Sequence, residues 1–241
     1  LSRRQRQMCI RDRDYIMPVS KVLEKKYKET IGDRVKYIPL TLNNYPCKSN
    51  VSKLNNNNIV AVGRLEAVKA FDDLIDVMSI VAKENKNVRL NICGNGSQMD
   101  NLKKKIKDLH LGKFVSLLGF QHPKDLEKIY QKSSLYALTS YEESFGLVVV
   151  EAMSFGIPCI MFDSAKGPLE CVNNKNGFII NNRNKEQMAE QILNYFKLPI
   201  KERRNIGIEC RLISKKYDCQ NVKSEWIKFI DDISKTNGDA K

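Results

Sequence analysis

The chain has 241 residues, 42% of them hydrophobic, enough for one large domain with appendages. Lysine and arginine exceed aspartate and glutamate by 13 charges, which raises nucleic acid, an acidic membrane and phosphate-bearing ligands as partners. No aromatic residues interleave with the cations as base-stacking platforms, His110 and His122 are far apart, and no apolar run reaches the ~20 residues that span a bilayer. Nucleic-acid binding, a metal site and a membrane span are therefore disfavoured.

The seven cysteines form no C-x-x-C pair, and Cys93 and Cys159 lie in apolar runs, a pattern that fits a reducing cytoplasm. Residues 1–14 are rich in Arg and Gln where the rest is rich in Lys, Asn and Ile, and read as a non-native leader. A short helix is expected over 18–28, with Pro18 in its first turn, then a strand over 35–38 closed by Pro39. Residues 41–58, with Pro46 and four consecutive asparagines, read as a linker.

From Asn58 onward apolar runs alternate with amphipathic ones. Strands are expected at 59–62, 88–93, 115–118, 135–138, 158–162 and 178–180. Between the first two, Phe71, Leu74, Ile75, Met78, Val81 and Ala82 recur at three and four residues, a single helical stripe. Lys103, Lys104 and Lys105, beside Ile106 and Leu109, read as the solvated face of a helix. Six such alternations specify an α/β fold, a Rossmann-like doubly wound parallel sheet of about six strands, because short runs buried on both faces need crossover helices. Helices expected at 185–197, 201–216 and 221–233, the last carrying Trp226 and Phe229, form a C-terminal tail without a sheet partner of its own.

In such sheets ligands bind beyond the carboxyl ends of the strands. After the first strand, Gly63 allows close backbone approach, and Arg64 and Lys69 offer a fork and a point charge for a diphosphate. After the second, Gly94-Asn95-Gly96 opens the next helix with Ser97 as its cap. It lacks the third glycine of a dinucleotide fingerprint, which counts against an oxidoreductase. After the fourth, the run from Thr139 to Met153 places Gly146 beside a helix start, so the N–H groups of Phe145, Gly146, Leu147 and Val148 would face an anion. Glu143 precedes that helix and Glu151 lies two turns inside it, in an otherwise apolar run where a carboxylate must find polar partners such as ribose hydroxyls.

These residues resemble the C-terminal domain of the retaining glycosyltransferases of family 4, which have the two-domain GT-B architecture. The resemblance runs from about Val35 to the end and rests on the E-x7-E pair Glu143 and Glu151, the G-R-x4-K run Gly63, Arg64 and Lys69, and the G-x-G of Gly94 and Gly96. It implies that Arg64 and Lys69 hold the donor diphosphate, that Glu151 holds the ribose, that Glu143 faces the donor sugar with Ser144 among the donor-binding residues, and that Leu118, Gly119 and Phe120 contact the base. Two positions depart from the family pattern, which has Lys-Gly at Lys69-Ala70 and Glu-Gly at Glu143-Ser144, and tighter loops are expected there. The run Phe162-Asp163-Ser164-Ala165-Lys166-Gly167-Pro168-Leu169-Glu170 is similar to a stretch of members that build bacterial surface polysaccharides.

By the same resemblance, residues 15–57 are the remnant of an N-terminal acceptor domain and its linker, residues 58–218 bind the nucleotide sugar, and residues 219–241 are the crossing helix, so the chain reads as a fragment. The implied partners are a nucleoside-diphosphate sugar and, through the other half, a glycan or lipid-linked acceptor at the inner face of the membrane. The implied reaction retains anomeric configuration, with Glu143, Arg64 and Lys69 as catalytic residues: the two cations stabilise the departing diphosphate, and Glu143 serves as a ligand of a sugar hydroxyl rather than as a covalent nucleophile. No cofactor or metal is expected, since the metal-dependent alternative uses D-x-D and only Asp12-Arg13-Asp14 in the leader has that form. A nucleotide-sugar-binding module without turnover and a GT-B epimerase are the alternative readings.

Overall fold

Six parallel strands form one sheet in the computed structural model, which describes residues 15–238. They are β1 (Asn58–Val62), β2 (Arg89–Cys93), β3 (Val115–Gly119), β4 (Leu135–Leu138), β5 (Cys159–Phe162) and β6 (Gly177–Ile180), in the order β3-β2-β1-β4-β5-β6. Each of the six strands expected from Asn58 onward is present to within one residue at each end. The leader at residues 1–14 lies outside the described residues, and so does the D-x-D it contains.

The sheet is sandwiched because its strands are apolar on both sides. Ile59, Ala61, Leu90, Ile92, Leu135, Ala137, Ile160 and Phe162 alternate onto one face and join a core with α2 (Phe71–Glu84) and α6 (Lys185–Lys197). The stripe read along α2 is buried in full, from Phe71 to Ala82. Val60, Tyr136, Leu138 and Met161 are buried on the opposite face. There α5 (Leu147–Ser154) meets β4 and β5, and α7 (Ile200–Ser214) packs behind α5. The first tail helix is thus part of the core, through Met188, Ala189, Ile192 and Tyr195, and is no appendage.

The chain divides into two compact units, one of residues 45–215 and one of residues 15–44 with 216–238. The first unit begins inside the expected linker: Ser52 is buried and donates to the carbonyl of Ser133 at 2.5 Å, and Leu54 is buried. In the second unit, α1 (Lys21–Ile31) starts three residues later than expected, because the Ser20 side chain caps it by accepting from the Leu23 N–H at 3.3 Å, which leaves Pro18 outside the helix. The strand expected over 35–38 is reduced to one parallel bridge between Val35 and Ile16. This unit also holds α8 (Cys219–Gly238), where Phe229 packs edge-on against Tyr15.

Two further expectations change. Ser97 is not the cap of α3 (Met99–Asp108), whose N-cap is Gln98. The Ser97 hydroxyl instead donates to Glu66 at 2.7 Å. Lys105 leaves the solvated face and pairs with Asp76 of α2 at 2.6 Å, because its position on α3 faces that helix across a polar seam.

Candidate functional site

The strand order makes the site. β1, β2 and β3 step outward in one direction, the chain returns to β4 beside β1, and β5 and β6 step outward in the other, so β1 and β4 are the switch point of the sheet, beside which folds of this kind place a ligand crevice. Arg64 and Lys69 follow β1, and Glu143 follows β4.

The β1 loop is laid tightly over the β2 loop. Leu65 N–H donates to the Asn95 carbonyl at 2.9 Å, and Gly94 N–H to the Gly119 carbonyl at 2.8 Å, so the ends of β1, β2 and β3 are tied in series. Gly94 has φ +144, and a Cβ there would sit 1.8 Å from the Gly63 carbonyl oxygen. A Cβ on Gly96 would sit 2.5 Å from that of Leu65. The G-x-G is therefore a packing requirement of this crossing. Asn95, Leu118 and Phe120 project from the same edge, and Phe120 is 64% exposed, with its ring edge-on to His122.

The β1 loop is also fastened to the β4 loop. The Tyr141 N–H donates to the Val68 carbonyl at 2.8 Å, and the Thr139 hydroxyl donates to the carbonyls of Ala70 at 2.8 Å and Lys69 at 3.2 Å. Ala70 ends the turn at φ +48, in the left-handed region that favours glycine, which is the physical reason for the Lys-Gly of the family pattern. This fastening brings Lys69 Nζ within 2.5 Å of Glu143 Oε1, which also accepts from the Ser140 hydroxyl at 3.0 Å. Arg64, on the same loop as Lys69, is exposed, and its guanidinium donates to no acceptor among the described residues.

Gly146, at φ +82, caps α5. The N–H groups of Gly146, Leu147 and Val148 meet no acceptor among the described residues, as the first turn of a helix requires. The loop is held from below by the Gly167–Glu170 turn: Gly167 N–H donates to the Glu143 carbonyl at 3.1 Å, and a Cβ on Gly146 would come within 2.6 Å of Pro168. Ser144 is exposed above that turn, and Phe145 is buried.

Glu151 lies one and a half turns into α5 and is largely buried. Its carboxylate accepts from the Tyr130 hydroxyl at 3.4 Å, and burial raises its pKa above the usual carboxylate value, against the opposing pull of that hydrogen bond. Tyr130, 2% exposed at the end of α4 (Pro123–Gln131), stacks on Phe155 at 5.3 Å between centroids. In sequence it reads only as one more apolar residue of an amphipathic helix. Arg183 is the other residue the sequence conceals, in a polar turn after β6. Its guanidinium reaches Asp73 of α2 at 2.5 Å, the Ser140 carbonyl at 3.2 Å and the Ser164 hydroxyl at 2.9 Å, and lies 3.9 Å over the Tyr141 ring.

The structure thus places Gly63, Arg64, Lys69, Gly94, Asn95, Gly96, Glu143, Ser144, Gly146, Leu147 and Val148 at the carboxyl ends of β1, β2 and β4. Leu118, Gly119 and Phe120 stand at the end of β3, toward the sheet edge. Among the described residues no three His, Cys, Asp or Glu side chains lie together as a metal cluster would require. No described helix is long and apolar enough to cross a membrane.

Comparisons with known proteins bear on the family and the fold. Residues 47–211 match the family of glycosyl transferases group 1. An uncharacterized glycosyltransferase of Haemophilus influenzae is 33% identical over 74% of this chain and 50% of its own length. A poly(ribitol-phosphate) alpha-N-acetylglucosaminyltransferase of Staphylococcus aureus is 31% identical over 70% of this chain and 34% of its own. The chain thus spans half or less of the length of these curated relatives. Among solved structures, S. aureus TarM in complex with Fondaparinux, alpha-GlcNAc-glycerol and UDP superposes with a TM-score of 0.82 at 23% identity, over 94% of this chain and 46% of that one. Anabaena HepE in complex with UDP-glucose superposes with a TM-score of 0.81 at 23% identity, over 95% and 67%. The fold is that of the C-terminal half of the two-domain GT-B architecture, and the chain belongs to the glycosyl transferases group 1.

Proposed function

We propose that this chain binds the diphosphate, ribose and sugar of a nucleoside-diphosphate hexose, and that together with an acceptor-binding half it transfers the hexose with retention of configuration. This reading is supported by the contact of Lys69 with Glu143 between the loops after β1 and β4, with Arg64 exposed on the first loop and, among the described residues, the N–H groups of Gly146, Leu147 and Val148 without acceptors at the start of α5. Two cations and a helix N-terminus are suited to the charge that develops on a departing diphosphate, each charge-assisted contact contributing about 1.5–3 kcal/mol. These groups do the work that a metal does elsewhere, so binding proceeds without one.

Glu143 already neutralises Lys69, which suits it to accept from a sugar hydroxyl rather than to attack as a nucleophile. Glu151, which meets one hydrogen-bond donor among the described residues, retains capacity for the ribose hydroxyls. Phe120 offers an exposed ring to the base. The UDP and UDP-glucose complexes of structural neighbours support a uridine donor, and the poly(ribitol-phosphate) relative supports a polymeric acceptor of the cell surface, reached from the cytoplasm.

Calorimetric titration of the full chain with UDP, GDP, ADP and their sugar conjugates in EDTA tests this. One diphosphate should bind, with affinity lowered about 10–100-fold in Arg64→Ala and in Glu151→Ala. Binding that requires added divalent metal, or that both variants leave unchanged, would overturn the reading.

A further inference from the structure

The outward face of α7 has a composition that the donor site does not use. Ile208 is 57% exposed and Leu212 is 59% exposed. With Tyr45 and Val51 they line a cavity of about 650 Å³ whose charged walls are Lys48, Arg211 and Lys215. An adjoining cavity of about 380 Å³ adds Lys53 and Arg204. Every charged side chain lining either cavity is a cation.

The helix repeat explains the pattern. Arg204, Ile208 and Leu212 are spaced by four, and Lys201, Ile208 and Lys215 by seven, so aliphatic and basic side chains share one stripe. The helix's own acids, Glu202 and Glu209, fall about a quarter-turn or more away from it. Arg211 is fixed there by bonds to the carbonyls of Ser154 at 2.5 Å and Pro46 at 3.0 Å, which holds the segment 45–51 against the helix and keeps the surface in shape. A stripe of exposed branched aliphatics whose charged neighbours in both cavities are all cations suits a surface that is anionic outside and apolar just beneath, and the chain as a whole carries +13.

We propose that this face of α7, with Lys48, Val51 and Lys53 beside it, is a docking surface for an anionic lipid bilayer, with Ile208 and Leu212 inserting at the headgroup boundary. The proposal stands independently of the nucleotide site.

Co-sedimentation of the full chain with vesicles tests it, using phosphatidylcholine alone and phosphatidylcholine with phosphatidylglycerol. The wild type should partition onto the phosphatidylglycerol vesicles and not the neutral ones. Ile208→Ser with Leu212→Ser, which removes no charge, should lower partitioning about tenfold or more. Arg204→Gln with Lys215→Gln should lower it about fivefold per cation removed. Lys103→Gln with Lys104→Gln removes the same charge from α3 and should have the smaller effect. Arg204, Ile208 and Leu212 on α7 are exposed, and so is Lys215 in the turn that follows it, so the Ile208→Ser, Leu212→Ser variant should keep the wild-type melting temperature.

Equal partitioning of the wild type and the Ile208→Ser, Leu212→Ser variant would mean attraction by bulk charge and would overturn the proposal. So would an absence of wild-type partitioning at low salt. A concentration-dependent dimer that the same variant dissolves would assign the face to a second copy of this chain instead.

Discussion

Glu151 illustrates how a candidate site residue is set at odds with its surroundings. Burial among the apolar residues of α5 raises its pKa, and Tyr130 supplies the one opposing hydrogen bond. A carboxyl whose folded pKa is raised favours the folded state most when protonated, so its contribution to stability declines as pH rises through that pKa. Its proposed role needs the anion, so nucleotide affinity should move the opposite way, weakening as pH falls through the same range. Glu151→Gln should therefore melt at a higher temperature than the wild type at neutral pH while binding nucleotide about 10–100-fold more weakly. A lower melting temperature would mean that the native carboxylate is stabilised by more than Tyr130. The sequence made Glu151 legible, because a charge in an apolar run demands a reason. Tyr130 was not legible, because an aromatic residue on an amphipathic helix needs none.

At the scale of elements, the loop after β4 is held by a residue from the far end of the sheet. Arg183, in the turn after β6, joins Asp73 on α2 to Ser140 and Tyr141 on the loop, while Lys185 at the start of α6 pairs with Asp73 at 2.5 Å and Asp76 at 2.7 Å. Burial opposes ionisation of Asp73, but the hydrogen bonds and charges of Lys185 and Arg183 outweigh it and hold the carboxyl below its ordinary pKa. Asp76 is lowered likewise, by Lys105 and Lys185 against its own burial.

Carboxyls with depressed pKa values contribute stability above their unfolded-state pKa and lose it as pH falls through the folded one. Asp73→Asn should thus destabilise the protein at neutral pH, by about 2 kcal/mol, and flatten the loss of stability that the wild type shows below about pH 4. Thermal melts across that range provide the measurement, and parallel curves for the two proteins would show that the pair contributes nothing. Strand and helix positions were readable from period alone. This network was not, because its members lie about 110 residues apart in stretches that look like ordinary polar loop and helix surface.

For the molecule as a whole, alternation of apolar and amphipathic runs sufficed to specify a doubly wound sheet. The strand order that places β1 beside β4, and with it the site, is a long-range fact that periodicity does not carry. The edges of the regular region were also hard to read: the first tail helix proved to be core, and the linker proved half structured, because burial there depends on partners distant in sequence. Ligand linkage offers a measurement at this scale. A diphosphate at ~100 times its dissociation constant should stabilise the native state by about 2.7 kcal/mol, which for a chain of this size raises the melting temperature by about 5–10 °C. An unchanged midpoint at that ratio would mean that binding does not require the native sheet.

The contact between Lys69 and Glu143 closes a loop of 74 residues, across the pairing of β1 with β4. Closure of that span carries an entropic penalty that local contacts cannot offset early in folding. A chain with β1, β2, β3 and their helices already formed would still have an incomplete crevice, with the cations of one wall facing no opposite wall. Recovery of the proposed donor binding during refolding should accordingly lag behind recovery of helix content, and its arrival would mark the moment at which the two halves of the sheet join.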